Sequence, residues 1–185
     1  MPSSSSLLGL DFNLIEPKDA QSKILRSCAR CWFEKGAGGG HNWGDCSGFV
    51  KAVQRDLGLR PFLGQASDIF DELDRRTDWL TLGHGSGALV QAGVAANVGM
   101  LAIGVWKYRP LPEGGQVGWA RKTGNGHVAI ITSYLPMLGR TPEQHAIGGW
   151  GELHKVGQLL GQMSQSFGKD KHSQIRYARC LSPVF

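Results

Sequence analysis

Apolar positions recur at helical spacing in the first half of the chain and fuse into continuous runs in the second. Ile24, Leu25, Cys28, Cys31 and Trp32 lie three or four apart and predict a helix over 19–35 with these side chains inward, set up by Pro17 and Asp19. A second helix is expected from Cys46 through Leu57. Phe49, Val50, Val53 and Leu57 face the core, Lys51, Gln54, Arg55 and Asp56 face water, and Gly58 closes it. Pro61 and Gly64 interrupt the chain before a short amphipathic helix over 66–75, and an Ala/Val-rich helix follows over 87–97. After Gly99 the period changes. Residues 100–106 are apolar throughout, as in a central strand, and 127–132, 145–150 and 174–180 read as three further strands. Helices first and strands second is the pattern of an α+β domain. Residues 1–17 form a loose serine-rich leader, and 18–185 are one domain, long enough for a single well-buried core.

Composition changes this picture little. A hydrophobic fraction of 41% beside 19% charged residues is ordinary for a globular domain, and no apolar run approaches the roughly 20 residues that span a bilayer. Membrane insertion is not expected. The first residues lack the basic start and apolar stretch of a signal peptide, so synthesis in the cytoplasm and export without a cleaved leader are expected. A net charge of +5 suits an acidic polymer as partner. The basic residues are dispersed, however, apart from Arg75-Arg76 and the pair Lys169 and Lys171, and no nucleic-acid-binding signature accompanies them. Nucleic acid is therefore not an expected partner.

Four cysteines, Cys28, Cys31, Cys46 and Cys180, carry the candidate chemistry. Cys28-x-x-Cys31 has no second ligand pair at zinc spacing and falls inside a helix, so no metal or cofactor is expected. A buried structural role, or one disulfide from Cys180 to either Cys28 or Cys31, remains for it. Cys46 differs. A glycine-rich approach (Gly36, Gly38, Gly39, Gly40, Gly44) delivers it to the first turn of a helix, where unpaired backbone N–H groups and the helix dipole favour a thiolate. A cysteine nucleophile needs a base. Among six histidines, His127 follows Gly124-Asn125-Gly126 and opens an apolar strand, a rigid mount for an imidazole. His41 lies in the glycine loop, and His84, His154 and His172 lie in polar or glycine-rich stretches.

Asp45-Cys46-Ser47-Gly48-Phe49-Val50 and Gly126-His127-Val128-Ala129-Ile130-Ile131 resemble the two signatures of NlpC-type, papain-like cell-wall peptidases. Within that group the chain is most similar to the type VI secretion amidase effectors of the first cell-wall amidase family, over about residues 20–183. The resemblance implies a papain-like fold with N-terminal helices on a small antiparallel sheet. It implies Cys46 as nucleophile, His127 as base and then acid, and Asp45 and Ser47 in contact with substrate, with Trp43 as a pocket wall. Asp45 could equally be an N-cap, or both. The implied substrate is the D-glutamyl–diaminopimelate amide of peptidoglycan stem peptides. The implied setting is that of a monomeric antibacterial toxin delivered to the periplasm of a target cell and held by a cognate immunity protein. A papain-like acyltransferase with the same pair, or a non-catalytic binding protein, are the alternatives. Such enzymes usually orient the imidazole with a polar residue of the next strand. A hairpin centred near residue 139 puts 149–151 opposite His127, and that segment offers no such side chain.

Overall fold

The computed structural model describes residues 20–32, 34, 45–108, 126–134, 139–142, 146–149 and 161–184. The leader 1–17, the glycine loop 36–44 with His41 and Trp43, His145 and His154 lie outside them. The helical half contains α1 (Ala20–Trp32), α2 (Cys46–Asp56), α3 (Ala66–Glu72) and α4 (Gly85–Asn97), with strand β1 (Trp79–His84) between the last two. Strands β2 (Ala102–Trp106), β3 (His127–Tyr134), β4 (Ala146–Gly149) and β5 (Gly161–Gln162) follow. A one-turn helix α5 (Met163–Ser166), a 3₁₀ turn (Lys169–Gln174) and β6 (Arg176–Cys180) complete the series. The α+β expectation is borne out.

The strands form one antiparallel sheet in the order β1-β6-β2-β3-β4-β5, so the last strand inserts between the first two. Strand alternation sorts its side chains into two core layers. Ile103, Val105, Val128, Ile130, Ala178 and Cys180 pack with α1, α2 and α3, whereas Ala102, Ala129, Ile131 and Tyr177 pack with α4, Met163 and Phe167. Burial on both faces explains why β2 and β3 read as unbroken apolar runs. Gly104 in β2 lies opposite Tyr177 of β6, and a Cβ there would stand 3.0 Å from the phenol ring. Among the described residues no helix is long and apolar enough to cross a membrane.

Three local readings change. Gln54 is not solvated but fully buried, because its amide oxygen accepts from Phe62 N–H at 2.9 Å and so secures the turn after α2. Arg76 is no surface charge either. It is buried between Asp78, Glu72 (3.0 Å) and the Arg60 carbonyl (2.8 Å), its guanidinium over Phe62, and hydrogen bonding to Asp78 raises its pKa further. No disulfide joins the cysteines. Cys28, Cys31 and Cys180 are buried in the layer under α1, and the Cys180 thiol donates to the Ser182 carbonyl (2.9 Å) while accepting from Leu101 N–H (3.1 Å).

Candidate active site

Cys46 is the first residue of α2 and is half-buried against the α1–α2 layer. The residue before it caps the helix: Asp45 is extended (φ −139°, ψ 97°) and its Oδ1 accepts from Gly48 N–H at 2.9 Å. An acidic side chain at this point satisfies an otherwise orphaned donor and complements the dipole. Ser47 is fully buried, its Oγ 2.8 Å from both Asp45 Oδ1 and Gln65 Oε1. One hydroxyl proton cannot serve two acceptors. That proton goes to the Asp45 carboxylate or to the Gln65 amide oxygen in turn, and the Gln65 side chain also faces the Asp68 N–H in a capping box. Ser47 thus braces the start of α2 against the start of α3, where Gln65 is the N-cap and its own N–H donates to Asp68 (2.8 Å).

His127 opens β3, in register with Trp106 of β2. Gly126 before it has φ +75°, and a Cβ there would stand 2.3 Å from the Trp106 carbonyl oxygen and 3.1 Å from Ser67 Oγ, so only glycine fits this entry to the strand. Ser67, in the first turn of α3, also accepts from Tyr108 N–H at 3.3 Å. The beginnings of α2, α3 and β3 therefore converge at one end of the sheet, joined through Ser47–Gln65 and through the close approach of Gly126 to Ser67. The imidazole is buried, 9% exposed, and is gripped from the α4 layer. Its Nε2 is 3.0 Å from Ser166 Oγ, and its ring meets Phe167 edge-on with centroids 4.9 Å apart. The β3–β4 ladder runs from Tyr134↔Ala146, through an irregularity between Ile131 and Ser133, to Ile130↔Gly149.

Ser166, Phe167 and Gln65 were not legible in the sequence as site residues. Ser166 is 39 residues from His127 in an unpatterned stretch, Met163-Ser164-Gln165-Ser166-Phe167. The other two histidines among the described residues have local contacts: His84 Nδ1 lies 3.1 Å from the Ile175 carbonyl, and His172 Nε2 lies 3.1 Å from that of Phe167. Among the described residues no three His, Cys, Asp or Glu side chains cluster as metal ligands. Burial pushes the Cys28 thiol far above the ordinary range, that of Cys31 up to about 12, and that of Cys180 upward as well.

The α+β domain thus sets a cysteine at the head of a helix and a histidine at the head of a central strand. No family model matches the chain. It is similar to the peptidoglycan amidase Tse1 of Pseudomonas aeruginosa, with 28% identity over 142 residues, 74% of this chain and 79% of that protein. The resemblance read from the two motifs is borne out by this similarity.

Proposed function

We propose that this protein is a peptidoglycan amidase, a cysteine hydrolase that cuts stem peptides, with Cys46 as nucleophile and His127 as base. The similarity to Tse1 across 142 residues carries the reading. The starts of α2 and β3 lie at one end of the sheet, with the imidazole on the α4 side and Cys46 on the α1–α2 side, so the pairing requires the two side chains to meet around that end.

In this mechanism His127 takes the Cys46 proton, and the thiolate adds to the scissile carbonyl carbon. The resulting oxyanion lies at the head of α2, where the Cys46 backbone N–H and the helix dipole oppose its charge; losing one such donor typically costs about 10²–10³ in rate. The tetrahedral species collapses as the imidazolium protonates the departing amine. That leaves a thioester between the Cys46 Sγ and the acyl part of the stem. Water, deprotonated by His127, then hydrolyses the thioester and returns the thiol. Asp45 keeps the nucleophile's helix start in place and, being exposed, can also meet a polar group of the substrate.

The preferred bond in this reading is the amide between D-glutamate and diaminopimelate. The biological role is that of a toxin delivered into a target periplasm, with a cognate immunity protein covering the cleft in the producing cell. The test is to incubate the protein with purified peptidoglycan and weigh the released fragments by mass spectrometry. Released fragments that begin with a newly freed diaminopimelate amine, the D-glutamyl carboxylate staying on the glycan, are expected from the native chain and none from Cys46→Ala. Intact peptidoglycan after prolonged incubation with folded native protein contradicts the reading.

A further inference from the structure

An imidazole that serves a thiol must keep one nitrogen unprotonated, and the partner of the other nitrogen decides which one that is. Among the described residues the β3–β4 ladder ends at Ile130↔Gly149, short of His127. The partner at His127 Nε2 comes from elsewhere. Ser166 Oγ lies 3.0 Å away, on the last residue of α5.

The placement of Ser166 is built rather than incidental. It is 8% exposed, and its neighbours Met163 and Phe167 are sunk in the α4-side core layer. The turn that carries it is fixed at both ends. Gln165 Oε1 accepts from Gln162 N–H at 2.9 Å, and Phe167 N–H donates to the Met163 carbonyl at 3.3 Å. The Phe167 ring edge against the imidazole restricts rotation about the His127 side-chain bonds. Ring and hydroxyl together hold the imidazole plane and put one hydroxyl at one nitrogen.

We propose that Ser166 is the positioning residue of His127. Its Oγ accepts the Nε2 proton, which leaves Nδ1 as the basic nitrogen of the ring. When His127 becomes imidazolium, the same contact persists, because both ring nitrogens are then donors and Oγ still accepts. A hydroxyl can donate or accept; assigned here as the acceptor, it favours the Nε2–H tautomer without adding the charge that a carboxylate brings. The inference rests on the Cys46–His127 pairing proposed above only for its catalytic consequence; the tautomer itself is a property of the folded protein.

Two readouts test it on the full chain. In the ¹H–¹⁵N spectrum of histidine side chains, native His127 above its titration point is expected as the Nε2–H tautomer, and Ser166→Ala is expected to mix in the Nδ1–H form. In peptidoglycan cleavage, Ser166→Ala is expected to lower kcat by about 10- to 100-fold with KM nearly unchanged, and Ser166→Thr, which keeps the hydroxyl, to restore most of it. A native Nδ1–H tautomer overturns the proposal, and that measurement stands even where Ser166→Ala does not fold. A kcat loss with the tautomer unchanged marks a merely structural residue and also overturns it. If native protein leaves peptidoglycan intact while the tautomer responds to Ser166→Ala, the amidase reading fails and the positioning of His127 by Ser166 stands.

Discussion

The head of α2 and the floor beneath α1 hold the same functional group in opposite conditions. Cys46 is half-buried on a capped helix start at the end of the sheet where β3 begins. Cys28, Cys31 and Cys180 are almost entirely inside the core, and burial raises all three thiols. A protonated, apolar-packed thiol behaves as a small hydrophobe, whereas a thiol at a helix start is favoured as the reactive thiolate. Residue type does not separate them; the surroundings do.

The widest separation between the two regions is expected in catalysis. Cys46→Ala should reduce release of stem fragments by at least about 10³-fold while leaving the fold intact. Cys28→Ala should keep activity within a few-fold but destabilise the protein by roughly 1–2 kcal/mol, read from urea denaturation. Equal activity losses in the two variants would erase the distinction.

Backbone geometry gives the next largest effect. Gly126→Ala forces a side chain into left-handed φ and against the Trp106 carbonyl, so it should cost at least about 2 kcal/mol and displace the strand that carries His127. Activity should fall with it. Ala at Gly58, also at positive φ but with nothing within 4 Å of its Cβ, should cost less and spare activity. Asp45→Ala removes the cap of α2 at about 1 kcal/mol, and Asp45→Asn, which can still accept from Gly48, should recover most of that stability.

The buried thiols also set a pH signature. Their pKa values are raised by folding, so the stability they contribute is complete below the unfolded thiol pKa. It is lost as pH climbs from about 9 toward the folded value of about 12 for Cys31, because the unfolded chain ionises first. Thermal melts from pH 8 to 11 should show a steeper alkaline decline for the native protein than for a Cys28→Ala/Cys31→Ala variant. Parallel curves would mean that these thiols titrate alike in both states.

How far the sequence could be read follows the range of the forces involved. α2 and the thiol at its head were legible because cap, apolar spacing and Gly58 lie within about a dozen residues. His127 was legible because a glycine turn meets an apolar run there. β1 was not: a bulge between Thr81 and Gly83, with Gly83 at φ +99°, breaks its alternation, and most of the strand is only partly covered. Gln54 reads as solvated in the sequence because the turn at 60–62, which supplies its partner, folds back on it only in three dimensions. Ser166 belongs to the same class. A serine in an unpatterned stretch has no local mark that it will meet a histidine 39 residues away.

The central claim is that Cys46 is the one activated thiol and that His127 activates it. Limited iodoacetamide labelling at pH 6.5, mapped by peptide mass, tests this most directly. In the native protein Cys46 should carry label at least about 50-fold faster than Cys28, Cys31 or Cys180, and His127→Ala should slow Cys46 by about tenfold or more. Uniform labelling of the four cysteines, or a Cys46 rate indifferent to His127, would contradict it.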